Sequence, residues 1–325
     1  MNNIYLHLSK TKNKLSKSKS GKLIITLYRT VYARPLIKFY ALKFSLIKNR
    51  MNKIHYYTND ETFSMLKNEH KSLSRFGDGE IAWIYKDAKA YFGQSNSEEL
   101  SRRLKEVLLS NENEVLIGVP DFFGTLKYHS KERQESRNAH LGKYYYRWME
   151  LLDSNKKYSD SLITRTYNGL NNFNSKQIFE QWKKIWDGRN VVLIEGGQTR
   201  FGVGNDLLEN AYSVKRIIAP SENAFDKYHD ILDFVKANNN NAFSNDLYLI
   251  ALGPTATILS YDIAMMGYQA IDIGHLDIEY EWYLRNATKK IPITGKYVNE
   301  AGGTFGIDFD DETLEKYNNE IVKFI

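Results

Sequence analysis

Apolar residues recur along this chain in two rhythms. Leu100, Leu104, Val107 and Leu108 fall on one side of a helix spanning Glu98–Ser110, and Asp60–His70 carries a second helical pattern. Short apolar runs at Ser72–Phe76, Val115–Val119, Val191–Glu195, Lys215–Ala219, Leu247–Leu252 and Ala270–Ile273 predict buried strands. In the C-terminal half these runs are separated by segments long enough for helices. Strand alternating with helix predicts an α/β domain with a parallel sheet covered on both faces, and ligand sites in such sheets lie beyond the carboxyl ends of the strands. The aromatic and basic middle, Phe122–Ile185, reads as helices and loops. Asn238–Asn241 reads as a low-complexity loop, and Asp308, Asp310 and Asp311 are expected to open the last helix.

The first fifty residues follow a different pattern. Leu23, Leu27 and Val31, then Leu36, Phe39, Tyr40, Phe44 and Ile47, recur at helical spacing on either side of Pro35, predicting two short helices broken at the proline. Lys38, Lys43 and Lys48 are five residues apart and so march around the helix instead of sharing one polar face, although lysine stems can lie along apolar surface. Arg29, Arg34, Lys38 and Lys43 interrupt the stretch Leu23–Ile47, which therefore does not read as a membrane span. Met1–Gly21 lacks an apolar core and a cleavage site, so no secretory leader is expected.

Charge sharpens the division. Residues 1–50 hold twelve Lys or Arg and no Asp or Glu, leaving 33 basic against 39 acidic residues in 51–325. A cationic arm on an acidic body points to an anionic surface, and the inner face of the cell membrane is the expected one. No nucleic-acid-binding motif accompanies the arm, so nucleic acid is not an expected partner. The chain has no cysteine, which excludes disulfides, thiolate metal sites and cysteine nucleophiles, and fits a cytoplasmic location with peripheral membrane association.

Candidate chemistry gathers at the strand ends. In Arg75-Phe76-Gly77-Asp78-Gly79-Glu80, two carboxylates at i and i+2 would project to one side of an extended backbone, and Gly77 and Gly79 would leave room for a phosphate or a hard cation. The same residues suit a turn in which Asp78 caps the next helix and Glu80 stands in its first turn. His275, Asp277 and Glu279 follow the last predicted strand as metal ligand or general base, or as a helix start. Gly253-Pro254-Thr255-Ala256-Thr257 leads from strand to helix, and its amides together with the Thr255 and Thr257 hydroxyls suit an anion. Gly196, Gly197 and Arg200 open a glycine-rich loop that matches neither the dinucleotide fingerprint nor the Walker loop. Arg75, Arg165 and Arg200 are candidate diphosphate clamps.

The segments SRFGDGE at 74–80, GPTATILSYDIA at 253–264 and GYQAIDIGHLDIEYEW at 267–282 resemble the GT-D-type glycosyltransferases, a family that includes enzymes extending glycans on streptococcal serine-rich adhesins. The resemblance spans roughly residues 55–305 and leaves residues 1–50 outside. It implies a Rossmann-like glycosyltransferase fold, a nucleotide-sugar donor, a UDP-sugar first among these, and a Mn²⁺ or Mg²⁺ ion at an Asp-x-Glu motif, which falls here on Asp78 and Glu80. The expected acceptor is an oligosaccharide, a lipid-linked glycan or a glycoprotein. The expected organisation is a basic arm, 1–50, followed by the transferase domain, 51–325. A phospho- or pyruvyltransferase using the same ion, and a non-enzymatic membrane adaptor, are the competing readings.

Overall fold

Strands of apolar, β-branched residues pair side by side wherever both of their faces are covered, and such strands form the centre of a sheet of nine described strands. In this computed structural model, which describes residues 18–87, 90–91, 93–238, 246–298, 301 and 308–325, the chain opens with helices α1 (Lys19–Tyr28) and α2 (Arg34–Ile47). Then come β1 (His55–Tyr56), α3 (Asn59–Asn68), β2 (Ser72–Arg75), the short α4 (Glu80–Ile84), the hairpin β3 (Ala90–Tyr91) and β4 (Gln94–Ser95), α5 (Glu98–Leu109) and β5 (Val115–Val119). The middle supplies α6 (Lys131–Met149), β6 (Lys157–Asp160) and α7 (Ser175–Trp186). The remainder is β7 (Asn190–Gly196), β8 (Ser213–Ala219), α8 (Tyr228–Ala237), β9 (Leu247–Ala251), α9 (Pro254–Met265), β10 (Gln269–Asp272), α10 (Leu276–Leu284), α11 (Asp311–Glu320) and β11 (Ile321–Phe324).

The large sheet has the order β1-β6-β5-β2-β10-β9-β7-β8-β11, with every pairing parallel. Its side chains alternate between two cores, as the two-residue period of a strand requires. Val192 and Ile194 of β7, with Tyr248 and Ile250 of β9, face a core shared with α4, α5, α6, α8 and α9. Val191, Leu193, Leu247 and Leu249 face the opposite core with α3, α7 and α10. The α/β parallel architecture expected from the sequence is the one observed.

Two adjacent strands, β2 and β10, send their continuations to opposite faces: β2 leads into α4 in the first core, β10 into α10 in the second. Diverging loops at adjacent strand ends leave a crevice, the usual ligand position in an open parallel sheet.

Some elements differ from the sequence reading. The middle contains a strand, β6, whose sequence Lys-Tyr-Ser-Asp is too short and polar to announce itself. The arm is not broken at Pro35. A π-helical turn, Arg29–Ala33, joins α1 to α2, and Pro35 sits in the first turn of α2, where its missing N–H costs no hydrogen bond. Residue 50 is not a packing boundary either, because α2 lies on α6 and Phe44 belongs to the first core. Residues 1–17 of the basic tail and 239–241 of the asparagine loop lie outside the described residues.

The crossing of α2 over α6 depends on one missing side chain. A Cβ at Gly142 would stand 1.9 Å from the Tyr40 carbonyl oxygen, and the Arg137 guanidinium lies 4.8 Å from the centre of the Phe44 ring beside it. Gly142→Ala must therefore push the helices apart. It is expected to destabilise the protein by about 1–3 kcal/mol, the usual range for overpacking, and to expose residues 34–50 to protease. Urea denaturation with limited proteolysis checks this, and a variant as stable and as resistant as the parent would refute the crossing.

Candidate active site

The crevice is built around one guanidinium. Arg75, the last residue of β2, donates from Nε to the Asp272 carbonyl (2.7 Å), from Nη2 to Asp272 Oδ1 (2.7 Å) and from Nη1 to the Ser161 carbonyl (2.8 Å). The Thr257 hydroxyl donates to the Arg75 carbonyl (2.8 Å), and the Gly274 amide to Asp272 Oδ1 (3.1 Å). Gly274 has φ +44°, and a Cβ there would lie 1.9 Å from Arg75 Nη2. The ends of β2, β6 and β10 and the first turn of α9 are thus tied together. Arg75 and Thr257, expected to hold a diphosphate, are engaged in this knot, because a buried carboxylate and two strand-end carbonyls reach them first. Asp272 is fully enclosed, and burial raises its carboxyl above the ordinary value against the lowering by Arg75.

Next to the knot, the chain turns at Gly77-Asp78-Gly79 and enters α4 at Glu80. Of the two arrangements the sequence allows, the extended one does not occur; Glu80 stands in the first helical turn, though with no side-chain cap from Asp78. Gly79 is already helical (φ −82°, ψ −42°), and Glu80 folds back so that its Oε2 accepts from the Gly77 amide at 2.6 Å. The two acids still share a site, one exposed on the turn and the other, part of whose surface stays exposed, in the first helical turn. The Glu80 carboxyl is pushed up to about 7, first by burial and then by the charges of Asp78 and Asp272. Three carboxylates thus sense one another at the end of β2, and Arg75 is bonded to only one of them.

His140 of α6 was not singled out from the sequence. Its ring lies 5.1 Å from those of Phe122 and Tyr144, Nε2 accepts from the Trp148 indole at 2.9 Å, and burial pushes it down to about 4 while the nearby Asp78 charge opposes the shift. A second group stands at the ends of β5 and β6. Gly118 pairs with Arg75, so Asp121, three residues after Gly118, stands level with Asp78, three residues after Arg75. Asp121 Oδ2 is 2.9 Å from His129 Nε2, and Asp160 Oδ1 accepts from the Asp121 amide at 3.2 Å. Nothing in the local spelling marks these residues; strand pairing across more than forty positions collects them.

The acids after β10 are differently placed. Asp277 and Glu279 are buried in the first turn of α10, and His275 precedes it. Lys296, itself fully buried, donates to both Asp277 oxygens (2.8 and 2.7 Å) and lies 3.0 Å from Glu281. Asp277 also accepts from the Gly202 amide (3.0 Å) and Asn205 (2.8 Å). Glu279 accepts from the Tyr167 and Asn168 amides (3.1 and 2.8 Å), with the Arg165 and Arg133 charges nearby. Both oxygens of Asp277 and one oxygen of Glu279, Oε2, are thus held by donors of the fold, which gives both side chains a bracing role.

In the glycine-rich loop the glycines permit close packing. A Cβ at Gly196 would approach Ser221 Cα to 3.2 Å and one at Gly197 would approach Ile218 Cγ2 to 3.4 Å. Arg200, in the left-handed region at φ +49°, donates to the Gly295 carbonyl (3.0 Å) and pairs with Asp308. At α9 the expectation survives in part. Gly253 has φ +55° and open space where a Cβ would be, and the buried Thr255 hydroxyl has no hydrogen-bond partner among the described residues. Asp310 caps α11 by accepting from the Thr313 amide at 2.8 Å.

A glycosyltransferase GT-D fold family model matches residues 73–301. The chain is 34% identical over 282 residues to the protein named "Probable glycosyl transferase Gly" of Streptococcus gordonii, covering 86% of this chain and 40% of that one. It is 35% identical over 266 residues to the glycosyltransferase GlyD of Streptococcus pneumoniae, covering 81% of this chain and 31% of the relative. The chain therefore spans less than half the length of either relative. Among solved structures, it is similar to a domain described as having a distinct glycosyltransferase fold (TM-score 0.77, 34% identity, 88% of this chain and 99% of that one). It is also similar to a new glycosyltransferase from Streptococcus sanguinis (TM-score 0.76, 32% identity, 84% of this chain and 100% of that one).

Two consequences are measurable. Lys296→Met leaves Asp277 buried without its cation, while Glu281 keeps Arg285, and removing one partner of a buried pair costs about 3–5 kcal/mol; chemical denaturation at neutral pH should show a loss of that size, and a loss under about 1 kcal/mol, the scale of an exposed pair, would disprove the bracing role. Asp160 is raised from 3.8 to about 7 by burial, with the Asp121 charge adding. Over that interval the folded chain keeps a proton that the unfolded chain has released, so this carboxyl lowers stability as pH rises toward 7. Asp160→Asn should flatten the decline, and parallel stability–pH profiles for the two proteins would contradict the assignment.

Proposed function

The chain belongs to the GT-D glycosyltransferase family, and from that premise we propose that it transfers a hexose from a nucleotide-diphosphate sugar, a UDP-sugar first among these, to a glycan acceptor with the help of Mn²⁺ or Mg²⁺. The observation that carries the reading is the meeting of Asp78, Glu80 and Asp272 at the mouth of the β2–β10 crevice, within the stretch that matches the family.

The residues fit a hard divalent ion. Asp78 and Glu80 offer oxygen ligands whose mutual repulsion a cation would relieve. Among the described residues no three His, Asp or Glu side chains form a ready cage. That suits an ion completing its shell with diphosphate oxygens and water. Bound there, it would neutralise the charge that develops on the departing nucleoside diphosphate, which favours the transition state over the ground state.

The remaining work falls to the chain itself. Asp78 and Glu80 would hold the ion, and Glu80 is kept in place by the Gly77 amide. The first turn of α9, with the Thr255 hydroxyl, offers hydrogen-bond donors at a helix N-terminus to the diphosphate. Asp121, backed by His129, stands at the adjacent strand end on the side away from β10, where an acceptor hydroxyl would approach. The acceptor class, a glycan carried on lipid or on protein in cell-surface assembly at the inner face of the membrane, agrees with the family and with the cationic arm.

Incubation with Mn²⁺ and a panel of UDP-, GDP-, dTDP- and CMP-sugars tests the proposal. Turnover of one donor class is expected, with Asp78→Ala and Glu80→Gln each lowering kcat by about a hundredfold or more, the scale for losing one charge-stabilising group, while circular dichroism is unchanged. Failure to turn over any donor, or undiminished turnover in the Asp78 variant, would overthrow it.

A further inference from the structure

We propose that the α1–α2 arm docks on an anionic lipid bilayer through its outward apolar stripe, and that this seats the crevice at the membrane surface. The inference rests on the arm and not on the donor site.

Helix α2 has two unlike sides. Tyr40, Phe44 and Ile47, at i, i+4 and i+7, turn toward α6, where Phe44 is buried and the Tyr40 carbonyl meets Gly142. On the other side Phe39, Leu42 and Leu46, at i, i+3 and i+7, are 59, 65 and 76% exposed. The stripe runs on through Val31, Leu27 and Leu23, which are 67, 63 and 70% exposed. Most large apolar side chains exposed beyond half in the described residues belong to this arm. Isolated exposed leucines need no explanation, but a continuous row of them over a run of helices marks an interaction surface.

The occupant follows from charge. Exposed Arg34, Lys38, Lys43 and Lys48 rim the stripe, and residues 1–50 carry no acidic side chain. A second copy of this arm would bring cations against cations, and a nucleic acid would leave the phenylalanine and leucines in water. An anionic bilayer satisfies both halves, with apolar side chains entering the headgroup boundary and lysine ammonium groups remaining at the phosphates. No helix among the described residues is long and apolar enough to cross a membrane, so the arm would lie in the interface.

The crossing point gives docking a consequence. Helix α6, which α2 crosses at Gly142, also packs against α4, the helix that Glu80 begins. The lipid-facing helix and the proposed cation site therefore have α6 as a common neighbour, and an acceptor carried on a lipid would be presented beside the crevice.

Co-sedimentation of the full chain with vesicles of phosphatidylcholine alone, or mixed with phosphatidylglycerol, tests this. Binding to the mixed vesicles is expected to be at least about tenfold tighter and to weaken at high salt, as attraction by several lysines near an anionic surface requires. The triple variant Leu27→Glu, Leu42→Glu, Leu46→Glu should lose vesicle binding and keep the parent's circular dichroism and its turnover of soluble donor. Equal affinity for both vesicle types, no binding to either, or binding retained by the triple variant would overturn the proposal. So would a lipid-free dimer of the parent that the same variant dissociates, since a second copy would then be the occupant. Loss of donor turnover in the parent with vesicle binding intact would sink the transferase reading and leave this one standing.

Discussion

The buried contact between Arg75 and Asp272 is the constraint on which the crevice depends. A guanidinium and a carboxylate drawn out of water stabilise a fold only when nearly every donor and acceptor is used, and removing one partner is far more costly than the pair is favourable. Here the unused capacity is taken by strand ends: the Asp272 and Ser161 carbonyls accept from Arg75, and the Gly274 amide donates to Asp272. Three parallel strands and α9 thereby stop at a common level. The chain must then leave β2 toward one face and β10 toward the other, and the gap between the two departures is the site. Gly274 follows from the same contact, since any side chain there would occupy the volume of the guanidinium.

The acids of this protein separate into two populations by what faces them. Asp277 and Glu281 meet buried Lys296, Glu195 meets Arg216 at 2.6 Å and the Phe201 amide at 2.8 Å, and Glu279 meets two backbone amides. Each of these is satisfied within the fold and braces a loop. Glu80 differs, because burial and the charges of Asp78 and Asp272 all push its carboxyl upward and only amide hydrogen bonds oppose them. A site of that kind is costly to keep unless something positive arrives, whereas the braced acids need nothing more. This distinction, more than any count of carboxylates, supports the proposed cation site at the end of β2 over one at the end of β10.

Much of the frame was legible because burial on both faces leaves an apolar run that needs no partner to be seen. Val115–Val119 was read to the residue, and β7 to β10 to within two or three at each end. The strands of the large sheet that escaped, β1, β6 and β11, have two to four residues and lie at or next to the sheet edges, where pairing rather than composition makes them strands. Side-chain roles were less legible for a related reason. Spacing brought Asp78 and Glu80 together and left the extended and first-turn arrangements both open, but it could not foresee that Glu80 would fold back onto the Gly77 amide, nor that Lys296 would reach back nineteen residues to Asp277. Arg75 and Thr257 were rightly placed at strand ends, yet their partners come from β6 and β10, whose positions exist only after the sheet has assembled. Glycines misled in the same way: those of the 196–205 loop permit close packing against Ser221, Leu208 and Phe309, which a linear reading cannot tell from room for a phosphate.

The relation between the arm and the crevice is the last consequence of sheet order. Helix α6 must cover the first core beside β5 and β2, which brings His140 near Asp78 and turns the opposite side of α6 toward solvent. That outer side would be a liability, since Arg137, Gly142 and Tyr145 offer a groove without a large apolar cover, and α2 fills it with Tyr40 and Phe44. Covering one helix with another only moves the problem outward unless the second helix is polar on its far side, and α2 carries Phe39, Leu42 and Leu46 there instead. A helix that is apolar on both sides and cationic at its margins suits the proposed place between a protein surface and a charged bilayer, where α6 would give the candidate site and the proposed membrane face one frame.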